Sequence, residues 1–145
     1  MPIACVCGLL SACDPVWLMQ REVEGRVAVT ADCVRAGLSH VPNIENWGVS
    51  SDSTLPRYAE YWVSRSGADS VSARLDSEAP HKVVLSFGSK DRNVPPEFEN
   101  TRALLLAFQN ALVVACALPL DQLVIKDTCM GTVCDSPQVA LEPRG

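Results

Sequence analysis

The sequence predicts an α+β domain, in which a small antiparallel sheet is packed by one long apolar helix and one short helix. Three observations lead to this fold class. Three segments in the middle of the chain have the character of strands, a strongly apolar helical segment follows them, and a fourth strand-like run comes after it. One sheet with its apolar face covered by helices is the natural two-layer arrangement for this order.

The short helix is predicted over residues 31–38. Thr30 is a suitable N-cap, and Asp32 lies in the first turn, where the helix dipole favours an acidic side chain. Val34 and Leu38 are four residues apart and therefore share one face of the helix.

A loop is predicted over residues 43–57, because this stretch is rich in Ser, Asn, Asp, Gly and Pro. Pro42 precedes it, just beyond the predicted end of the short helix. Trp47 lies in this loop, where it either anchors the loop on the core or is exposed as a contact residue. Anchoring is the more common role of such a residue.

Three strand candidates, residues 58–65, 71–75 and 83–87, follow the loop. The first is aromatic and β-branched and contains Tyr58 and Trp62. In the other two, large apolar residues recur at every second position, which is typical of half-buried strands. The linkers are short enough for hairpins, so the three strands are predicted to form an antiparallel meander.

The long helix is predicted to open at Pro95 and Pro96, because proline is tolerated in the first turn. Residues 103–118 are apolar almost all round, which is typical of a central helix packed across a sheet. This segment of about 16 residues is shorter than the roughly 20 that a membrane span needs. Pro119 ends the helix, and residues 123–125 are predicted to form the fourth strand.

Composition and charge exclude two classes of partner. The chain is 48% hydrophobic and 20% charged, as expected for one globular domain, and its formal net charge is −5. There is no cluster of Lys and Arg in the sequence. Such a cluster is needed to neutralise phosphates, so we expect no binding to nucleic acid and no polybasic membrane patch.

The run Leu10-Ser11-Ala12-Cys13 follows a short apolar stretch. It resembles the lipobox of bacterial lipoproteins, in which a Leu and two small residues precede the Cys that is lipidated. The resemblance implies a protein of the bacterial cell envelope that faces the periplasm and meets the membrane only through lipid on Cys13. In the family's sorting pattern, an acidic residue such as Asp14 favours the inner membrane. No domain family is recognised in the remainder, and the alternative is that the run arises by chance.

The chain is expected to have four parts, of which the first two follow from this resemblance. Residues 1–12 would be the remnant of a signal peptide and residues 13–20 a lipid-anchored tether, although residues 14–19 could also form a short edge strand. Residues 21–134 are predicted to form a single disulfide-stapled α+β domain. Residues 135–145, which contain two prolines, are predicted to form a disordered tail. The leader is short and lacks the charged start of a signal peptide, so we expect the true start to lie upstream of Met1.

The cysteines divide into two groups around the lipobox. Cys5 and Cys7 fall in the predicted leader, and Cys13 is the lipidation site that the resemblance implies. An even number follows, as an oxidising compartment favours. These four are Cys33, Cys116, Cys129 and Cys134.

Two disulfides are expected from these four cysteines, although four allow three pairings. Cys129 and Cys134 are close in sequence, and Gly131 allows a tight turn between them. Cys33 and Cys116 would then pair and tie the two helices together.

Two other cysteine states stay open at this point. The four could be buried free thiols of a cytosolic protein, or they could bind zinc. The spacing is not the usual paired arrangement of zinc ligands, and only His40 and His81 could complete a site. Neither histidine lies in a catalytic motif, so we expect no catalytic residue, metal or cofactor.

The favoured function is a non-enzymatic protein-binding module of the envelope, either an inhibitor or immunity protein or an accessory to envelope assembly. Its partner would be an envelope protein that the sequence does not name. The predicted contact residues are Trp47, Tyr58 and Trp62, because aromatic residues are favoured at interface hot spots, although they are also favoured in cores.

Two alternatives accompany this hypothesis. One is a cytosolic α+β enzyme in which Cys33 or Cys116 is a thiol nucleophile that meets a histidine only in the fold. The other is a purely structural lipoprotein that spaces components of the envelope.

Overall fold

Six strands and two helices make up the computed structural model, which describes residues 17–51, 56–89, 95–131 and 134. The helices are α1 (Ala31–Leu38) and α2 (Phe98–Ala115). A single 3-10 turn, Leu120–Gln122, leads into the last strand. The strands are β1 (Trp17–Glu24), β2 (Asn46–Ser51), β3 (Tyr58–Ser64), β4 (Val71–Asp76), β5 (Lys82–Ser89) and β6 (Val124–Met130).

The six strands form one sheet in the order β2-β3-β4-β5-β1-β6. All neighbouring strands are antiparallel. The first strand of the chain therefore lies inside the sheet, between β5 and β6. Arg21 at its middle is opposite Leu85 on one side and Asp127 on the other.

Helix α1 begins where the sequence predicts, because Thr30 caps it. The hydroxyl of Thr30 accepts a hydrogen bond from the backbone N–H of Cys33 at 3.2 Å, and the N–H of Thr30 donates to the sulfur of Cys33 at 3.3 Å. This reciprocal pair satisfies two of the amide groups that a helix start leaves free. Val34 and Leu38 are buried, as their spacing indicates.

Helix α2 packs against α1 and across β4 and β5. A Cβ added at Gly37 would lie 3.2 Å from Cδ2 of Leu112, so the two helices approach closely at this glycine. The disulfide between Cys33 and Cys116 joins the same two helices, with a Cα–Cα distance of 5.0 Å. The helix starts at Phe98, whose N–H donates to the carbonyl of Pro95 at 3.0 Å.

The core lies between the helices and one face of the sheet. Alternate side chains of each inner strand point into it, and the ring of Phe98 in α2 lies 5.6 Å from the ring of Phe87 in β5. Full burial of a large apolar side chain stabilises a fold by about 1.5–3 kcal/mol. The buried sheet residues are Met19, Arg21, Val23, Tyr61, Val63, Val71, Ala73, Val83, Leu85 and Phe87.

The prediction of a small sheet of four strands is wrong, because the sheet has six; the fold is still α+β. The meander is present as β3–β4–β5, and the fourth predicted strand is β6. Residues 17–20, predicted as part of a tether or of a short edge strand, form the first half of β1, which is an inner strand. Its pattern was hidden by Arg21, a charged residue at a core position.

Strand β2 is the second element that the sequence prediction missed. Residues 46–51 were predicted as loop from their composition, and that part of the prediction is wrong. Pairing with β3 along all six residues makes this segment a strand. Its local propensity is poor, because Gly and Asn are depleted in strands.

Some predictions lie outside the described residues. These are the leader over residues 1–12, the lipidation site at Cys13 and the tail over residues 135–145. In the part of the chain that is described, neither helix is long and apolar enough to cross a membrane.

Candidate functional site

The candidate site is the face of the sheet opposite the helices, which we call the open face. Both helices pack on one side, so the intervening side chains of each strand project from the other side. Residues opposite each other in antiparallel strands share a face. The strand register therefore gives the open face as rows of side chains that cross the sheet.

One row crosses all six strands without a charged residue, and we call it the neutral row. Trp62 is its single large side chain, and its neighbours are small or carry hydroxyl and amide groups. In order across the sheet, the neutral row is Gly48, Trp62, Ser72, Ser86, Gln20 and Thr128.

The next row towards the C-terminal end of β1 is charged. Along this charged row, acidic and basic side chains alternate, with one valine in the middle, so their formal charges cancel. The charged row is Ser50, Glu60, Arg74, Val84, Glu22 and Lys126.

Trp62 is held against the backbone of β2. A Cβ built on Gly48 would lie 2.6 Å from Cε2 and Cζ2 of Trp62, so the indole occupies the space that any side chain at Gly48 would need. The ring is half-buried in this position. An aromatic side chain that covers a glycine of an edge strand compensates for the packing that the glycine lacks.

Tyr58 lies on the same face as Trp62, four residues earlier on β3. Two guanidinium groups approach its ring: the Cζ atom of Arg57 is 4.7 Å from the ring centroid, and that of Arg74 is 5.2 Å from it. Cations at these distances are attracted to the face of an aromatic ring.

Ion pairs hold Arg57 beside Tyr58. Arg57 bonds Asp76 through Nη2 at 2.6 Å and through Nε at 3.1 Å, and it also contacts Glu78. The hydrogen bond from Arg57 lowers the pKa of Asp76, and the backbone N–H of Glu78 lowers it further. Asp76 is therefore ionised near neutral pH.

A cleft of about 120 Å³ opens beside Tyr58, bordered by Arg74, Asp76 and the pair formed by Glu22 and Lys82. The Nζ atom of Lys82 lies 3.0 Å from Oε1 of Glu22, and this hydrogen bond raises the pKa of Lys82. The lining combines acidic and basic groups, so it suits a ligand that itself carries both charges more than a simple anion.

The structure brings together only two of the three predicted contact residues. Tyr58 and Trp62 lie on the open face, whereas Trp47 is opposite Val63 and so lies on the helix side of the sheet. Trp47 is 55% exposed, in a strand rather than a loop, so it does not anchor the chain on the core. Tyr61, which neighbours Trp62, is buried.

Sequence reasoning missed several residues of the open face. Ser72 and Ser86 were detectable, because they fill the polar positions in the alternation of predicted strands. Gly48, Gln20 and their neighbours were not, because β1 and β2 were not recognised as strands.

The four cysteines of the domain form the two expected disulfides. Cys33 is bonded to Cys116, and Cys129 is bonded to Cys134 with a Cα–Cα distance of 5.7 Å. Neither pair is a free thiol or a zinc site in this structure. Within the described ranges there is also no group of three His, Cys, Asp or Glu side chains placed to hold a metal ion.

Comparison with known proteins adds no family to this picture. No family model matches the sequence, and no curated protein or solved structure is similar enough to be a relative. The site is therefore interpreted from its own residues.

Proposed function

We propose that the chain is a lipid-anchored, non-enzymatic protein-binding module of a bacterial cell envelope, which holds its partner on the open face. The partner is another envelope protein, and the module acts on it as an inhibitor or immunity protein or as an accessory of an assembly. Lipid on Cys13 supplies the anchor, so the domain works close to a membrane.

The observation that carries the proposal is Trp62 on the neutral row. Its ring lies over Gly48, half-buried and held in place, beside the small side chain of Ser72. A rigid aromatic residue presents a large contact area at little cost in conformational entropy, and Trp is among the residues most enriched at binding hot spots.

The charged row supports a protein partner in particular. Because acidic and basic groups alternate along it, a protein surface with the opposite alternation would fit, whereas a uniformly charged polymer would meet repulsion at every second position. Complementary charges of this kind set the register and specificity of an interface more than its affinity.

The two disulfides support the proposed compartment. Disulfides persist in oxidising environments such as the bacterial periplasm and are rare in the cytosol. One of them closes a loop across most of the domain, from Cys33 to Cys116.

The partner test replaces Ser72 with Arg, which puts a bulky charge into the neutral row beside Trp62. Ser66→Arg, at an exposed turn between β3 and β4, is the matched control. The full chain and both variants are used to capture proteins from envelopes of the source bacterium, with quantification by mass spectrometry. We expect a protein that the original chain and Ser66→Arg retain and that Ser72→Arg loses at least tenfold. If all three chains retain the same proteins equally, the open face is not the binding surface.

A separate measurement tests the anchor. The intact mass of the chain, expressed in its own bacterium, should show loss of residues 1–12 and addition of lipid at Cys13. Reduction should add two hydrogens for each of the two disulfides, which is four in all. An unprocessed mass would overturn the lipoprotein assignment and leave the test of the open face in place.

A further inference from the structure

Among the strands of the described residues, β2 lies at one edge of the sheet and has β3 as its single neighbour. In an antiparallel pair, alternate residues direct their N–H and C=O groups towards the neighbour, and the residues between them direct theirs away from it. An edge strand therefore presents a row of backbone groups that another strand can pair with.

Edge strands are usually protected by charged side chains or proline, and β2 has neither. Residues 46–51 read Asn-Trp-Gly-Val-Ser-Ser. The strand at the other edge of the sheet, β6, contains Lys126 and Asp127. Of the two edges, β2 is the one that can receive a further strand without burying a charge.

Two apolar side chains project from β2 on the helix side of the sheet. Trp47 is opposite the buried Val63, and Val49 is opposite the buried Tyr61. Both are exposed all the same, Trp47 to 55% and Val49 to 44%. The apolar side of the sheet is therefore exposed to solvent at this edge.

We propose that a second copy of the chain covers this edge, by antiparallel pairing of β2 with β2 about a two-fold axis at Gly48. In this register each Trp47 is opposite the Val49 of the other copy. The two exposed apolar side chains of each copy therefore cover those of the other. The interface is isologous, as in most soluble homodimers. The inference does not depend on the function proposed above.

The register follows from the alternation of side chains. A two-fold axis perpendicular to the sheet must set side chains of one face opposite each other, so shifts by one residue are excluded. A shift by two would set Val49 opposite itself and Trp47 opposite Ser51. Only the register centred on Gly48 pairs both apolar residues with apolar residues.

The dimer would carry one continuous twelve-stranded sheet, since each copy contributes six strands. The axis is perpendicular to the sheet, so the helices of both copies lie on one side and the two open faces on the other. The neutral row then continues through the two Gly48 residues, which places the Trp62 rings of both copies on either side of the axis.

Sedimentation equilibrium of the full chain, without reductant, tests the dimer. We expect a monomer–dimer equilibrium that Val49→Lys shifts at least tenfold towards monomer. Val124→Lys makes the same change at the other edge strand, where Val124 is 65% exposed, and should leave the equilibrium unchanged. Circular dichroism confirms that both variants are folded. A chain that is monomeric at every concentration, or a dimer that Val49→Lys leaves intact, would overturn the proposal.

Cross-linking tests the register without relying on a disruptive substitution. Residues 46 and 50 are opposite each other in the proposed pair, so Asn46→Cys combined with Ser50→Cys should give a covalent dimer on oxidation. Each single variant should stay uncross-linked, because its cysteine faces an original Ser50 or Asn46. If a single variant cross-links as readily as the combined variant, or if none of the three cross-links, the register centred on Gly48 is wrong.

Discussion

Gly48 and Trp62 form the contact on which the edge of the sheet depends. Trp62 fills the position that a side chain at residue 48 would take, and it covers the backbone of β2. The glycine is therefore required by the close approach of the ring. Trp62 also lies on the proposed binding surface, so this pair contributes both to the stability of the sheet and to the proposed function.

We predict that Gly48→Ala destabilises the domain. The added Cβ would lie 2.6 Å from the indole ring, and forced overpacking of this kind costs about 1–3 kcal/mol. Ser50→Ala, on the same strand, should change the free energy of unfolding by no more than about 0.5 kcal/mol. Urea denaturation of the three chains under oxidising conditions makes the comparison, and equal stability of all three would contradict the packing described.

Arg21 is a buried charged residue that bonds side chains from two other elements. It is 1% exposed, and its guanidinium bonds Asp127 through Nε at 2.7 Å and through Nη2 at 3.0 Å. Nη1 donates to Oε1 of Gln109 in α2 at 3.0 Å. The charge is thus compensated by groups from β6 and α2, which join these elements to β1.

Asp127→Ala should destabilise the domain by about 3 kcal/mol, because it leaves the buried guanidinium without its counter-charge. Arg21→Met should cost less, since an apolar side chain suits the position between Met19 and Val23. Glu99→Ala removes a surface ion pair with Arg102 and should cost at most about 1 kcal/mol. Thermal or urea unfolding gives the order, and a larger loss for Arg21→Met than for Asp127→Ala would contradict this account.

At the scale of elements, the disulfide from Cys33 to Cys116 holds α1 against α2. The two cysteines are 83 residues apart in sequence, so the bond closes a loop that contains four of the six strands, β2 to β5, and the whole of α2. The second disulfide, from Cys129 to Cys134, spans only 5 residues. The two bonds therefore constrain the unfolded chain very differently.

We predict that removal of the two disulfides has unequal effects. In the chain-entropy model, replacing Cys33 and Cys116 with Ala lowers the free energy of unfolding by about 4–5 kcal/mol, and replacing Cys129 and Cys134 lowers it by about 2 kcal/mol. Urea denaturation without reductant measures both. If the short loop proves the more important, chain entropy is not the main contribution here.

At the scale of the whole molecule, the sequence predicts the parts that depend on local signals. Thr30 caps α1 through a residue three positions away, and α2 is apolar enough to be recognised as the central helix. The cysteine pairing was also predicted from sequence distance, because Cys129 and Cys134 are close neighbours and Cys33 and Cys116 are then left to pair. These features need no knowledge of the tertiary structure.

The two missed strands depend on contacts with distant residues. Arg21 can occupy a core position only because Asp127, 106 residues later, pairs with it. Gly48 can occupy a strand only because Trp62 covers it. A pattern read along the chain contains neither partner, so β1 resembled a tether and β2 a loop. Two of the three predicted contact residues, Tyr58 and Trp62, share the open face. The strand that carries Trp47 was not predicted, so the position of Trp47 on the helix side of the sheet could not be predicted either.

The position of β1 has a mechanical consequence. Trp17 lies four positions after Cys13 in the sequence, so a lipid on Cys13, as proposed, holds the start of β1 within about 14 Å of the membrane. Force on the anchor then acts on a strand that is paired with β5 and β6 on both sides. Pulled along its length, such a strand must break two ladders of hydrogen bonds in shear, whereas an edge strand must break only one. Attachment through an inner strand therefore suits a domain that must hold its partner against a pull from the membrane.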